Sequence, residues 1–207
     1  MILYYIRWNP DPEIINIFGI SIRYYGLLFV GGLILCIYIL GRIYKRENIP
    51  SEHLEKLTIF CLIGIIAGAR LGHCLFYEPS YYLSHPLEMI LPITFPPDGG
   101  IKFTGYQGLA SHGGVLGLLI AIYFYSRKTK HSMIDTFDLI AVVAGLSFGF
   151  IRLGNFMNSE IIGIPTTLPW GVIFERVDNI PRHPAQLYEA ISYFIIFTIM
   201  ILLYKKM

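Results

Sequence analysis

The chain has 207 residues, of which 55% are hydrophobic and 14% carry a charge, against roughly 25% charged residues in a soluble domain. So few polar residues cannot coat a soluble globule, and the composition excludes a cytosolic enzyme. The net charge of +2 argues against a nucleic-acid partner, and the three cysteines lie in apolar runs without metal-ligand spacing, which argues against disulfides and a metal site.

Five apolar stretches are long enough to cross a bilayer core of about 30 Å, which takes about 20 helical residues. They are residues 21–41, 57–77, 109–126, 134–153 and 185–204. The sequence therefore predicts an all-α integral membrane protein with about five transmembrane helices and irregular outer-side segments at 78–108 and 154–184. Residues 1–207 are expected to form a single membrane-embedded domain.

Basic residues predict the orientation, because Lys and Arg are in excess in cytoplasmic loops. They cluster between the first two spans, between the third and fourth, and after the fifth, whereas the segments on the other side are longer and less basic. We predict the N-terminus outside and the C-terminus inside. The residues on the predicted inner side are Arg42, Lys45, Arg46, Lys56, Arg127, Lys128, Lys130, Lys205 and Lys206.

Small and charged residues interrupt the predicted spans. Glycines recur at every fourth residue, a spacing that lets helix backbones approach closely. Arg70 lies in the second span, where a charge costs about 2.5–3.5 kcal/mol on insertion scales, so it needs a partner or a wet cavity. An internal partner and a lipid headgroup both remain open. The glycines are Gly64, Gly68, Gly72, Gly113, Gly117, Gly145 and Gly149.

His112 opens the third span in the sequence S-H-G-G-V-L-G. A single histidine in a membrane protein is often a hydrogen-bonded packing residue. Here Gly113 and Gly114 remove side chains beside it, which allows a ligand or a backbone to come close. With an ordinary pKa of about 6.5, His112 is suited to take a proton from a thiol or water.

The densest polar stretch follows the fourth span and runs from Arg152 to Gly163. Arg152 and Asn155 are three residues apart and face the same way on a helix. Together with Asn158 and Glu160, they place a guanidinium, two amides and a carboxylate at the predicted headgroup level. Such a set suits phosphate binding, and a helix-end cap with a salt bridge is the alternative.

A second polar group opens the fifth span, with Arg182, His183, Gln186 and Glu189. Helix capping, with Glu189 balancing an arginine, is one interpretation. Membership of the same outer polar site is the other, and Tyr25 at the outer end of the first span lies at the same predicted depth. All these polar groups fall on the predicted outer side.

Gly145-Leu-Ser147-Phe-Gly149 matches the G-x-S-x-G pattern of a serine nucleophile elbow. That elbow requires a strand-to-helix turn, whereas this stretch lies within a predicted helix. An intramembrane serine protease pairing Ser147 with His112 is therefore the minor alternative.

The run R-L-G-N-F-M-N-S-E-I-I-G at 152–163 resembles the signature of bacterial prolipoprotein diacylglyceryl transferases, roughly G-R-x-G-N-F-x-N-x-E-x-x-G, with Ile151 in place of the first glycine. The stretches H-G-G at 112–114, P-R-H-P-A-Q-L-Y-E at 181–189, and W-N-P-D-P and R-Y-Y-G near the start are similar to the same family. The resemblance implies seven helices, so we expect this chain to lack the last two, with their arginine and carboxylate. A shortened relative that binds phospholipid without reaction is the alternative function.

The resemblance implies transfer of the diacylglyceryl group of phosphatidylglycerol to the lipobox cysteine of a prolipoprotein, releasing glycerol phosphate, with no cofactor and no metal. It places the chain in the bacterial cytoplasmic (inner) membrane, with the active site toward the outer side and a signal peptide as partner. His112 is the expected base with Tyr25 orienting the proton, and Arg152 the catalytic phosphate ligand; His183 is a second candidate for base. The expected phospholipid-binding residues are Arg152, Asn155, Asn158, Glu160, Gly163, Gly113, Gly114, Arg182 and His183, supported by Arg70, Gln186 and Glu189.

Overall fold

A computed structural model describes residues 5–17, 20–96, 99–103 and 108–206. Seven helices account for most of these residues, and seven short strands lie between them. In chain order the elements are β1 (Ile6–Trp8), β2 (Glu13–Ile17), β3 (Ile20–Arg23), α1 (Tyr24–Arg46), α2 (Ser51–Phe76), α3 (Pro79–Ser84), α4 (Pro86–Ile90), β4 (Ile93–Thr94), β5 (Lys102–Phe103), α5 (Ser111–Thr129), α6 (Met133–Asn158), β6 (Val172–Phe174), β7 (Pro181–Arg182) and α7 (Ala185–Lys206).

Four helices, α1, α2, α6 and α7, are long and apolar enough to cross a membrane. They coincide with four of the five predicted spans and confirm an all-α integral membrane protein. The fifth predicted span, 109–126, is helical as α5, but within the described residues α5 is not among the helices that meet this criterion. Its ends are polar, with Ser111 and His112 at one end and Arg127 and Lys128 at the other. A membrane crossing by α5 stays a prediction, as does the orientation of the chain.

The segments predicted as irregular contain the short elements. In 78–108 lie α3, α4 and the antiparallel pair β4–β5, and in 154–184 lie β6 and β7. A parallel pairing joins β1 to β6, with Ile6 opposite Val172, and β7 runs antiparallel on the other side of β6. The sheet order is thus β1-β6-β7. Strands of two to five residues have too little periodicity to be predicted from sequence.

The chain divides into two compact units, one formed by residues 1–43 and 138–207 and the other by residues 44–137. In the first unit, glycines set the contacts of α6. A Cβ on Gly145 would lie 2.7 Å from the backbone oxygen of Tyr193 in α7, and one on Gly32 of α1 would lie 2.7 Å from Cβ of Phe150. These helices therefore pack at distances that only glycine permits.

In the second unit, α2 and α5 cross along facing glycines. A Cβ on Gly64 would lie 2.6 Å from the backbone oxygen of Gly117, and one on Gly68 would lie 2.8 Å from its Cα. A Cβ on Gly72 would lie 2.8 Å from Cα of Gly113. The prediction that these glycines serve close helix packing is confirmed.

Candidate active site

The C-terminal end of α6 carries a chain of polar contacts that begins at Arg152. Its Nη1 donates to Oδ1 of Asn155 over 3.3 Å, as expected for residues three apart on one helix face. The side-chain amide of Asn155 donates in turn to Oε2 of Glu160 over 3.2 Å. Because Asn155 is buried, its amide needs such partners. The prediction that Arg152 and Asn155 face the same way on one helix is confirmed, and their binding of a phosphate stays a prediction.

The carboxylate of Glu160 is held by two amides. Asn155 donates to one oxygen and Asn158 donates to the other, each over 3.2 Å. The fully buried Gln186, in the first turn of α7, donates from Nε2 to the backbone oxygen of Glu160 over 2.5 Å. Glu160 thus holds Asn158 directly, and Asn155 links it to Arg152.

The turn that carries Glu160 has a strained backbone. Ser159 and Ile161, on either side of Glu160, have φ values of 57° and 53°, in the left-handed region that a β-branched residue such as isoleucine rarely adopts. Hydrogen bonds from the Glu160 amide to Asn155 O (2.9 Å) and from the Ser159 amide to Phe156 O (3.1 Å) hold this conformation. The chain thereby reverses directly after α6, which returns the Glu160 carboxylate to the helix it has just left.

Arg152 has a second partner in α7. Its Nε lies 2.6 Å from Oε2 of Glu189, and both side chains are partly exposed. A guanidinium has five N–H donors, and the contacts with Glu189 and Asn155 engage only its Nε and Nη1. The two partners fix the plane of the guanidinium, so the remaining donors can be presented to an anion in a defined direction.

Aromatic rings surround the end of α6. Tyr25, in the first turn of α1, lies against Gly154, where a Cβ would be 2.7 Å from Cδ2 of the Tyr25 ring. Trp8 of β1 donates from its indole nitrogen to the backbone oxygen of Phe156 over 3.0 Å, and the two ring centroids are 4.3 Å apart. Gly154, two residues after Arg152, thus makes room for the ring of Tyr25.

Arg182 joins two turns of the 154–184 segment. Its Nε donates to Oδ2 of Asp178 over 3.0 Å, and its Nη1 donates to the backbone oxygen of Gly163 over 3.4 Å. The hydrogen bonds from Arg182 lower the pKa of Asp178, and the same carboxylate raises the pKa of Arg182. A Cβ on Gly163 would lie 2.6 Å from the backbone oxygen of His183, so only glycine fits there.

His183 directly precedes the proline that leads into α7. Its Nδ1 lies 3.1 Å from the hydroxyl of Tyr188, and that hydroxyl also accepts a hydrogen bond from the indole Nε1 of Trp170 over 2.8 Å. The His183 backbone oxygen accepts from the Gly163 amide over 3.0 Å. His183 is therefore attached to the same turn as Glu160 and Gly163.

The second unit holds His112. It lies in the first turn of α5, and its side chain is exposed. Gly113 is accounted for by packing, because its Cβ would lie 2.9 Å from Cα of Gly72, whereas a Cβ on the buried Gly114 would make an ordinary contact with Ala69 at 3.5 Å. A ligand-binding role for these two glycines stays a prediction.

Arg70 of α2, also in the second unit, has an internal partner. It is buried, and its Nη2 donates to the backbone oxygen of Glu88 in α4 over 2.6 Å. The carboxylate of Glu88 is buried as well and accepts from the Phe95 amide (2.9 Å) and the Tyr81 hydroxyl (2.7 Å), which lower its pKa. Of the two interpretations of Arg70, the internal partner is the one found, and the arginine ties α4 to α2.

Three residues of the first unit escaped the sequence reasoning. Asp178 stands four residues before Arg182 in a turn that contains Pro and Asn. That spacing was the signal from which their ion pair could have been predicted. Tyr188 lies in the run at 181–189 that resembles the family, but its contact with Trp170 had no signal, because it depends on the path of a long irregular segment. The protease alternative loses its structural basis, because α6 is a continuous helix through Ser147.

The first unit brings most of the predicted site residues into one connected set, and the second unit holds the others. Within the residues that the structure describes, no group of three or more His, Cys, Asp or Glu side chains is placed to hold a metal ion. The connected set can orient an anion through Arg152 and neighbouring donors. It comprises Tyr25, Arg152, Asn155, Asn158, Glu160, Gly163, Arg182, His183, Gln186 and Glu189, whereas Arg70, His112, Gly113 and Gly114 belong to the second unit.

Comparison with known proteins agrees with these motifs. The chain is 57% identical over 201 residues to a phosphatidylglycerol–prolipoprotein diacylglyceryl transferase of Bacteroides fragilis, covering 97% of this chain and 73% of the relative. Enzymes of the same name from Tolumonas auensis and Chloroherpeton thalassium are 47% and 45% identical, covering 96% and 98% of this chain and 72% and 71% of those relatives. The family description of prolipoprotein diacylglyceryl transferases matches residues 12–207. The chain belongs to the prolipoprotein diacylglyceryl transferase family.

Proposed function

We propose that this chain transfers the diacylglyceryl group of phosphatidylglycerol to a cysteine thiol of prolipoproteins, the first step of lipoprotein maturation. The observation that carries the proposal is the oriented guanidinium of Arg152, held at Nε by Glu189 and at Nη1 by Asn155. A planar guanidinium with free terminal donors matches a phosphate group, which is the part of the phospholipid that changes charge in this reaction.

The reaction needs a thiolate, because a cysteine thiol with a pKa of about 8.5 is mostly protonated at neutral pH. We assign removal of the thiol proton to His112, with Tyr25 orienting or sharing that proton. The thiolate sulfur attacks the glycerol carbon that bears the phosphate, and the carbon–oxygen bond breaks as the carbon–sulfur bond forms. The proton stays on the base, and the electron pair leaves with the phosphate oxygen as glycerol phosphate.

We assign stabilisation of the leaving group to Arg152. The phosphodiester of the substrate carries one negative charge, and the departing phosphate monoester carries more negative charge than that. A guanidinium that binds the phosphate more strongly as its charge grows lowers the barrier and not only the KM. Removing one such donor typically costs about 10²–10³ in rate. Glu160 contributes by fixing Asn155, and through it one nitrogen of Arg152.

The proposed partners are phosphatidylglycerol in the bilayer and the lipobox cysteine of a signal peptide. We place the enzyme in the bacterial inner membrane with its site toward the outer side. Support for the location comes from four helices long and apolar enough to span a membrane. Support for the outward-facing site comes from the distribution of basic residues. Lys and Arg cluster at the predicted inner ends of the spans, whereas the Arg152 cluster follows the predicted outer end of α6.

The test uses the purified chain in phosphatidylglycerol nanodiscs with a synthetic lipobox peptide, read by peptide mass. We expect a gain of one diacylglyceryl group on the cysteine peptide and no gain on a Cys→Ser peptide. Arg152→Gln should lower the rate by about 10²–10³. Arg176→Gln is the matched control, because Arg176 is an exposed arginine of the same unit.

Two results would overturn the proposal. Phosphatidylglycerol binding without any peptide modification by the folded chain would indicate the non-reacting phospholipid-binding relative. Equal rates for Arg152→Gln and the wild-type chain would remove the assigned role of the guanidinium.

A further inference from the structure

Three side chains of the first unit form a hydrogen-bond relay that has no role in the reaction proposed above. The Trp170 indole Nε1 lies 2.8 Å from the Tyr188 hydroxyl, and that hydroxyl lies 3.1 Å from Nδ1 of His183. The rings of His183 and Tyr188 meet at 61° with centroids 5.9 Å apart. The hydroxyl of Tyr188 is therefore shared between an indole and an imidazole.

The donors and acceptors of these groups determine which way the relay runs. An indole N–H can only donate, so the Tyr188 oxygen accepts from Trp170. A phenolic oxygen has its proton and its main lone pair in the plane of the ring, and Trp170 takes the lone pair. With Trp170 on that lone pair, the phenolic proton is left to point to Nδ1 of His183, which in this arrangement accepts it. A neutral imidazole that accepts at Nδ1 carries its own proton on Nε2.

The backbone holds His183 in place for this role. Its amide donates to the Ile164 oxygen over 3.1 Å, and its carbonyl oxygen accepts from the amides of Gly163 and Ala185 over 3.0 and 2.9 Å. Gly163 has no room for a Cβ against His183. The backbone of His183 is therefore fixed at both its amide and its carbonyl, next to the turn that follows Glu160 and to the start of α7.

We propose that His183 is a hydrogen-bond donor to an anionic oxygen of the phospholipid substrate, through an Nε2–H that the Trp170–Tyr188 relay specifies, and not the base of the reaction. The proposal rests on the proposed function and deepens it. It also decides between the two histidines considered as base, because an Nε2 that already carries a proton cannot accept one, and Nδ1 is occupied by Tyr188. In this assignment a neutral donor acts on the phospholipid in addition to the guanidinium of Arg152.

The first test reads the tautomer without any catalysis. The chain is labelled with ¹⁵N-histidine, reconstituted in nanodiscs, and its ¹⁵N signals are assigned by loss of one set in His183→Gln. We expect a protonated Nε2 and an unprotonated, hydrogen-bonded Nδ1 at neutral pH, and a shift of the Nδ1 signal in Tyr188→Phe. Tyr193→Phe is the control, because Tyr193 lies on the same helix with its ring against Phe148, and it should leave the signal unchanged. A proton on Nδ1 of the neutral ring would overturn the proposal.

The second test uses two substitutions of His183, each of which keeps a polar atom near the position of one of the two imidazole nitrogens. Glutamine places its amide nitrogen near Nε2, whereas asparagine places its amide near Nδ1. We expect His183→Gln to keep the transfer rate within about tenfold of wild type and to keep its pH profile, and His183→Asn to lose about 10²–10³, the typical effect of one lost donor.

The outcomes separate this proposal from the proposed function. Equal inactivity of both folded isosteres, or an asparagine variant more active than the glutamine variant, would overturn the donor role. Absence of transfer by the wild-type chain would instead count against the proposed function, and the tautomer measurement would still decide the state of His183.

Discussion

Nε of Arg152 lies 2.6 Å from Oε2 of Glu189, so α6 and α7 meet at an ion pair that joins the densest polar stretch of the sequence to the polar group that opens α7. A carboxylate at Nε competes little with an anion that approaches the two terminal nitrogens of the guanidinium. Under the proposed function, Glu189 is therefore a positioning residue, which keeps the arginine in one orientation for the phospholipid.

Glu189→Gln should reduce transfer through orientation and not through fold stability. An exposed ion pair contributes about 0–1 kcal/mol to stability, whereas a small displacement of a binding group can cost up to about 10²-fold in rate. We expect a loss mainly in kcat, measured in the nanodisc assay, with thermal unfolding close to wild type. An unchanged kcat together with a lower unfolding temperature would show that Glu189 only stabilises the fold.

Gly68→Ala should destabilise the second unit. The added Cβ would lie 2.8 Å from Cα of Gly117 and closer still to the backbone oxygen of Gly113, neither of which can move without shifting α5. Overpacking of this kind typically costs about 1–3 kcal/mol. The measurement is thermal unfolding in detergent. Gly31→Ala is the matched control, because a Cβ there meets nothing within 4 Å and alanine favours a helix; equal unfolding temperatures for the two variants would contradict the prediction.

The Asp178–Arg182 pair should make stability depend on pH at acid values. The pKa of Asp178 is lowered in the folded chain by Arg182, relative to an ordinary value of about 3.9. The folded state therefore binds this proton less readily than the unfolded state, so the contribution is present above the ordinary pKa and is lost as pH falls through the folded pKa. Asp178→Asn should unfold at a lower temperature than wild type at pH 7, and the gap should close below about pH 4. A gap that stays constant with pH would rule out the ion pair as its cause.

Ser147→Ala should transfer diacylglyceryl groups at the wild-type rate. Ser147 lies in the middle of the continuous helix α6, between two glycines that pack against α7. The same peptide-mass assay measures it, and a loss comparable to that of Arg152→Gln would revive a nucleophilic serine.

The sequence predicts the long helices and the Arg152–Asn155 contact well, because both follow from helical periodicity. Four apolar runs coincide with α1, α2, α6 and α7. The glycines at every fourth residue predict close helix packing, which is found between α2 and α5. The contacts of Tyr188 and Trp170 were beyond prediction, because the segment between α6 and α7 has no periodic pattern. Its path depends on two left-handed residues, Ser159 and Ile161, whose types do not favour that conformation.

The parallel pairing of β1 with β6 sets an order of events during biosynthesis. Ile6 pairs with Val172, and the carbonyl of Trp8 accepts from the Glu175 amide, so the first strand finds its partner only after the chain has been made as far as β6. At about 5–20 residues per second, translation separates the two strands by roughly ten to thirty seconds. The indole of Trp8 bonds to the end of α6 from that strand. The support around Arg152 is thus completed late, and a nascent chain that has inserted only its first helices has not yet assembled the Arg152 end of α6.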